Sequence, residues 1–130
     1  MIEVYVDGAS QGDPGPSGAG VYIKQSGNHF DHSIFLGTMS NHEAEFHAVI
    51  HALRICQQQF PNDIISIRSD SRLVVDAVEK SYTKKELFRP LLEELQQLGT
   101  LFPIYFIKWI PNKQNKRADE LARQAIHKQK

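Results

Sequence analysis

Four acidic residues of this 130-residue sequence occupy positions where a carboxylate could perform chemistry, namely Asp7, Glu45, Asp70 and Asp119. Glu45 is the most informative of them. Alanine or valine follows it at spacings of three, four and seven residues, so Glu45 lies on the apolar stripe of a predicted helix. Glutamate is rarely buried without a partner, so this position favours a metal, a cation or a catalytic cleft. The alternative is a first-turn acid stabilised by the helix dipole.

The other three acids are ambiguous when each is considered alone. Asp7 ends a predicted strand before a glycine-rich segment, which is also typical of an Asp that begins a turn. Asp70 ends another predicted strand, where it is equally suited to cap the following helix. Asp119 has Ala122 and Ile126 three and seven residues later, so it leans toward the apolar face of its helix.

Taken together, these four acids converge on one candidate site. Asp7 and Asp70 end two strands that can lie side by side, and the other two acids lie near helix starts that can pack over those ends. Clustered carboxylates repel one another and raise their pKa values unless cations are present. Hard oxygen ligands in this number suit Mg²⁺ or Mn²⁺. Two such ions about 4 Å apart would bind the attacking water and the leaving oxygen of a phosphodiester.

The hydrophobic pattern predicts the elements that must position these acids. Period-two alternation and turn signals predict five strands, at 1–7, 20–25, 30–37, 64–69 and 103–109. Helical periodicity predicts four helices, at 40–60 with Ser40 or Asn41 as cap, at 71–79, at 86–98 and at 116–128. Residues 8–20, rich in Gly and Pro, are predicted to form a turn-rich connection. The order βββαβααβα favours an α/β fold whose mixed five-stranded sheet has three antiparallel and then two parallel strands.

Length and composition fit one domain spanning residues 1–130. The start of the chain lacks the pattern of a signal peptide, and no apolar run is long enough to cross a membrane. We therefore expect a soluble, cytoplasmic protein and a monomer. The single cysteine, Cys56, excludes an internal disulfide and a Cys-rich zinc site.

The formal net charge of zero argues weakly against nucleic-acid binding, but the charge is unevenly distributed. From Lys108 onward the chain has seven basic and two acidic residues, a local charge of +5. Such a tail is usually a solvated face, and it matters for phosphate binding only beside a site that acts on phosphates.

Four short motifs carry a resemblance to a known family. They are Tyr5-Val6-Asp7-Gly8-Ala9-Ser10 with Gly12 and Pro14-Gly15-Pro16, then Ser40-Asn41-His42-Glu43-Ala44-Glu45, then Ser69-Asp70-Ser71, and finally Asn115-Lys116-Arg117-Ala118-Asp119-Glu120-Leu121-Ala122. In order, spacing and element type, the chain resembles type 1 ribonuclease H from end to end. The resemblance implies the three-layer ribonuclease H-like fold, with helices on both faces of the sheet.

The resemblance also implies an activity, which is Mg²⁺-dependent endonucleolytic cleavage of the RNA strand of an RNA–DNA hybrid. The products would carry 5′-phosphate and 3′-hydroxyl ends, and Mn²⁺ is the expected substitute for Mg²⁺. Two ions would be bound by Asp7, Glu45, Asp70 and Asp119, with Asp7 bridging them. Contacts with the minor groove of the hybrid would come from Gly8, Ser10, Gly12 and Asn41. We add His42 to this substrate-binding set because it follows Asn41.

The loop before Asp119 departs from the family pattern. Many bacterial members carry a histidine there that is thought to help product leave, and this chain has none. Either Lys113 or Asn112 takes over that role, or turnover is slow.

Two further departures concern substrate affinity. The basic protrusion of many members is reduced here to Lys84, Lys85 and Arg89, so affinity for the hybrid is expected to be lower. Asp13 replaces an asparagine that contacts the groove, and its charge is unfavourable near phosphates unless a cation or hydrogen bond compensates.

Other functions remain as alternatives. The first is a ribonuclease H-like module that binds hybrid or RNA with weak or no cleavage, and the second is the same metal chemistry on double-stranded RNA. The histidines at 47 and 51 have zinc-ligand spacing, but we interpret their helix face as solvated. The glycine-rich segment lacks the Gly-Lys-Ser/Thr ending of a P-loop, which excludes an NTPase of that type.

Overall fold

A computed structural model describes residues 1–128 and confirms the predicted order of elements. The strands are β1 (Ile2–Ser10), β2 (Gly15–Gln25), β3 (Asn28–Met39), β4 (Ile64–Ser69) and β5 (Ile104–Trp109). The helices are α1 (Asn41–Gln59), α2 (Arg72–Lys80), α3 (Arg89–Gly99) and α4 (Lys116–Lys128). Short 3₁₀ turns at Glu86–Phe88 and Asn112–Gln114 precede α3 and α4.

The five strands form one mixed sheet in the order β3-β2-β1-β4-β5. β1 pairs antiparallel with β2, and β2 with β3, whereas β1 with β4 and β4 with β5 are parallel. The predicted fold class is therefore confirmed. The main core lies under α1, where Val4, Val6 and Ile67 of the sheet meet Phe46 and Leu53 of the helix.

The segment predicted as a turn-rich connection is mostly strand, and this prediction was wrong. β1 continues to Ser10 and β2 begins at Gly15, so only residues 11–14 form the loop. The small residues serve close packing, because a Cβ on Gly18 or Gly20 would overlap the backbone carbonyl of Ala122 or Ala118 in α4. Glycine within a strand marks such a close approach of another backbone.

Helix α1 begins at a capping box that fixes the position of its first turn. Ser40 is the N-cap, its hydroxyl accepts a hydrogen bond from the N–H of Glu43, and the Glu43 carboxylate accepts one from the N–H of Ser40. This arrangement satisfies two N–H groups that the helix itself leaves unpaired. The predicted capping by Ser40 is confirmed.

No helix among residues 1–128 combines the length and the apolar character needed to cross a bilayer.

Candidate active site

Asp7 lies at the centre of the sheet, where the pairing of β1 with β4 ends. The last parallel pair joins Val6 to Ser69, and Asp70 is the next residue after β4. Asp7 is not the end of β1 as predicted, because the strand continues beside β2 alone. The Asp7 side chain is buried, at 8% exposure, and Asp70 is half-buried. The parallel pairing thus brings these two acids together, as the sequence predicted.

Glu45 enters the site from the first turns of α1, which pass unusually close to β1. A Cβ on Gly8 would overlap the backbone of Ala44 and Glu45, so only glycine allows this approach. One carboxylate oxygen from each of Asp7, Glu45 and Asp70 lies within 4.8 Å of the other two. Three of the four predicted metal ligands therefore form one cluster.

The carboxylate of Asp70 does not cap the following helix and is within hydrogen-bonding reach of Asp7 and Asn115. Ser71, and not Asp70, is the N-cap of α2, since its hydroxyl accepts a hydrogen bond from the N–H of Val74 at 3.3 Å. The indole N–H of Trp109 donates to the main-chain carbonyl of Asp70 at 3.1 Å. Asp70 is therefore fixed by its backbone while its side chain faces the acidic cluster.

Asp119 lies on α4 at the edge of the same cleft, outside the group of three. The cleft has a volume of about 230 Å³, and all four acids line it. The Asp119 side chain is within hydrogen-bonding reach of Asp7 and also accepts a hydrogen bond from Nε of Arg123 at 3.0 Å. The structure thus places the fourth predicted ligand beside the cluster, in an ion pair with a cation.

Burial and mutual repulsion perturb the titration of the cluster. Burial, followed by the charges of Asp70, Asp119 and Glu45, raises the pKa of Asp7 to about 9. Burial also raises the pKa values of Glu45 and Asp70 above their ordinary range. A cluster that holds a proton at neutral pH in the absence of cations is a site where a divalent ion would displace that proton. The donor set, composed of carboxylate oxygens, fits Mg²⁺ or Mn²⁺.

The predicted substrate-binding residues fall into two groups. Gly8, Ser10 and Asn41 line the cleft, although the Ser10 hydroxyl already donates a hydrogen bond to the carbonyl of Met39 at 3.0 Å. Gly12 does not line the cleft and has a φ of 127°, which suits glycine.

His42 is exposed beside the cluster, with its Nδ1 3.4 Å from a carboxylate oxygen of Glu45. Lys113 lies in a groove that adjoins the cleft.

The Asp13 departure has a structural compensation. Its carboxylate accepts a hydrogen bond from the main-chain N–H of Asn41 at 3.2 Å, at the positive end of the α1 dipole. The charge is therefore partly offset, and the contact ties the loop at 11–14 to the start of α1.

Several residues of the cleft were missed by the sequence analysis. They are Ala9, Gln11, Arg123, Ile126 and His127, whereas Asn112, already named as a candidate for the loop role, lines the cleft as well. Two of them had a usable signal, since Arg123 and His127 follow Asp119 at spacings of four and eight and so share its helix face.

Asn115 was quoted only as part of a motif, yet it is buried and its amide donates to the carbonyl of Val6 at 2.8 Å. This hydrogen bond joins the start of α4 to the centre of the sheet.

The environment of two histidines on α1 differs from the solvated face that was predicted for them. His47 and His51 are half-buried and do not lie on a fully solvated face. This burial lowers the pKa values of both imidazoles.

Comparison with known proteins agrees with this geometry. The family described as "Reverse transcriptase-like" matches residues 5–125. EbsB of Enterococcus faecalis, a protein only provisionally named a hydrolase, is 43% identical over 98% of this chain and 96% of its own length. Ribonuclease H of Pelobacter propionicus is 31% identical over 96% of this chain and 84% of its own length. Ribonuclease HI of Halobacterium salinarum is 33% identical over 96% of this chain, which spans 64% of that relative.

Solved structures define the class of fold. RNase H1 of Halobacterium salinarum superposes with a TM-score of 0.90 at 31% identity, covering 98% of both chains. LC11-RNase H1, solved in complex with an RNA/DNA hybrid, gives 0.91 at 31% identity and the same coverage. The mixed sheet with acids at its centre is thus of the ribonuclease H-like class. The sequence relatives narrow this further, and the chain belongs to the ribonuclease H family.

Proposed function

We propose that this protein is a metal-dependent endoribonuclease that hydrolyses the RNA strand of RNA–DNA hybrids and leaves 5′-phosphate and 3′-hydroxyl ends. The observation that carries the proposal is the cluster of Asp7, Glu45 and Asp70 oxygens within 4.8 Å, beside Asp119. The similarity to LC11-RNase H1, solved with an RNA/DNA hybrid, supports the choice of substrate.

Asp7, Glu45, Asp70 and Asp119 are the residues that would hold the metal ions, and Asp7 is the central one, because the other three acids all act on it. Mg²⁺ is the proposed ion and Mn²⁺ its substitute, because both prefer carboxylate oxygens. When bound, two such ions supply neutralisation of the phosphoryl oxygens and a more acidic water. The protein's own contribution is to hold these carboxylates in place, through the pairing of β1 with β4 and through the close contact of α1 with β1.

The wall formed by Gly8, Ser10 and Asn41 is proposed to face the minor groove of the hybrid, with Gly12 in the adjoining loop and His42 at its edge. Gly8 brings backbone close to the cleft, and a close backbone can read the 2′-hydroxyls that distinguish RNA from DNA. In the groove that adjoins the cleft, Lys113 is proposed to compensate for the missing loop histidine.

The remaining proposals concern the setting of the protein. We propose one domain of residues 1–130, since one main core joins the sheet, α1, α2 and α3. We also propose that it acts as a monomer. RNA–DNA hybrids arise where nucleic acids are synthesised, so we propose that the protein acts in the cytoplasm.

A panel of three duplexes tests the substrate. RNA labelled at one end is presented in an RNA–DNA hybrid and in double-stranded RNA, and a labelled DNA duplex is added, each with Mg²⁺ and then with Mn²⁺. We expect internal cuts only in the RNA of the hybrid, because only that duplex combines a 2′-hydroxyl strand with a DNA partner. Cleavage of double-stranded RNA at a similar rate would contradict hybrid specificity, and binding without cleavage in either metal would identify a binding module.

A further inference from the structure

A groove adjoins the acidic cleft on the α4 side and has a volume of about 260 Å³. It shares four residues with the cleft, namely Asp70, Asn112, Asp119 and Arg123. The two residues that line the groove and not the cleft are Lys113 and Lys116. Any strand bound across Asp70 and Asp119 therefore passes directly beside two ammonium groups.

Both lysines are exposed, although Asp70 and Asp119 line the same groove. Among residues 1–128, no carboxylate oxygen lies within ion-pair distance of either ammonium group. Arg123, by contrast, is paired with Asp119. Lys116 is also the first residue of α4, so the groove lies at the positive end of that helix dipole.

The two walls of the cleft differ in charge. The β1 side and the start of α1 present Gly8, Ser10, Gln11 and Asn41, none of which is a cation. The α4 side presents Arg123 and His127, and the groove adds two lysines to it. A polyanion that crosses four carboxylates needs cationic contacts, and among the residues that line the cleft and the groove these lie on the α4 side.

We propose that Lys113 and Lys116 form a phosphate subsite, which binds the non-bridging oxygens of a phosphodiester that neighbours the scissile one. The inference rests on the proposed function, because it assumes that a nucleic-acid strand lies across Asp70 and Asp119. Lysine binds phosphate as a point charge, so the subsite adds affinity and holds the strand in register without reading its sequence.

Binding measurements test the subsite independently of cleavage. Affinity for a hybrid is measured in the Asp7→Asn background with EDTA over a range of salt concentrations. Adding Lys113→Ala and Lys116→Ala is expected to weaken binding about tenfold and to reduce the slope of log K against log salt by about two. The control pair, Lys24→Ala with Arg54→Ala, removes the same charge at the far end of the sheet and of α1 and should leave the slope unchanged. Equal slopes and affinities with and without the two lysines would overturn the proposal.

A second experiment locates the subsite on the strand. Hybrids that carry one neutral methylphosphonate in the RNA strand are cut with the wild-type protein and with the Lys113→Ala, Lys116→Ala variant, both with Asp7 intact. The cut sites are then mapped. We expect reduced cutting at one fixed offset from the modification, and we expect the reduction to disappear in the Lys113→Ala, Lys116→Ala protein. An unchanged map in that variant would contradict the subsite. Failure of the wild type to cut any unmodified hybrid would instead count against the proposed function, and the binding experiment would still decide the subsite.

Discussion

Replacing Asp7 with Asn is expected to reduce hybrid cleavage by about a thousandfold and, in metal-free buffer near neutral pH, to raise the unfolding temperature. The loss of cleavage follows because Asp7 is the buried, central member of the acidic cluster and the ions it helps to hold supply several kcal/mol. This combination of results would show that Asp7 is retained for function although it lowers the free energy of unfolding.

The stability effect has a definite sign. The pKa of Asp7 is raised to about 9 in the folded protein, chiefly by burial, whereas an unfolded chain has the ordinary value near 4. Between about pH 4 and pH 9 the folded state binds more protons than the unfolded state, so metal-free stability falls as the pH rises. The Asn variant lacks the contribution of Asp7 to this dependence. Because the cluster can share its protons, we expect a gain of only about 1–2 kcal/mol at neutral pH.

Thermal unfolding in EDTA at about pH 5 and about pH 8 measures this effect. The advantage of Asp7→Asn over the wild type should be larger at the higher pH. Adding Mg²⁺ should stabilise the wild type and have little effect on the variant, because ligands stabilise the state that binds them. Asp76→Asn, an exposed acid on α2, is the matched control and should do neither. A variant less stable than the wild type at both pH values would contradict the account of a repulsive buried cluster.

Replacing Gly20 with Ala is expected to have the largest effect on folding, a loss of about 3 kcal/mol in the free energy of unfolding. Gly20 lies opposite Asp7 in the β1–β2 register, and a Cβ there would overlap the carbonyl oxygen of Ala118 and crowd the backbone of Ala122. The obstacle is helix backbone, so it cannot be relieved by a rotamer change. α4 would have to move outward, and Asp119 would move with it.

Chemical denaturation measures the loss, and Gly27→Asn provides the control. Gly27 has a φ of 85° and open space around it, and Asn tolerates that conformation, so we expect a change below about 1 kcal/mol. A Gly20→Ala protein as stable as the wild type would show that α4 is not packed as closely as described.

Periodicity was sufficient to predict most of the framework. Strand β4 was predicted at its observed bounds and the capped start of α1 within one residue, because both have clear apolar patterns and Ser40 supplies a cap. The meeting of Asp7 with Asp70 also followed from the sequence, since parallel strands end at the same edge of a sheet.

The remaining features depend on tertiary contacts that a linear pattern does not contain. Gly18 and Gly20 have the signature of turns, yet they are strand residues selected by the approach of α4. The sequence allows either Asp70 or Ser71 to cap α2, and the local geometry decides for Ser71. The hydrogen bond from Asn41 to Asp13 likewise depends on how the loop lies against the start of α1. The lysine groove needs the fold, because it joins the 112–114 turn to the end of β4.

The most direct test of the metal site compares wild type with Asp70→Asn on one hybrid, with binding and RNA cleavage measured in the same Mg²⁺ samples. Asp70 is half-buried and fixed through its backbone by Trp109, so the Asn variant should fold and bind the hybrid. We predict retained binding and a fall in cleavage of about a thousandfold. Cleavage by Asp70→Asn at the wild-type rate would contradict this prediction.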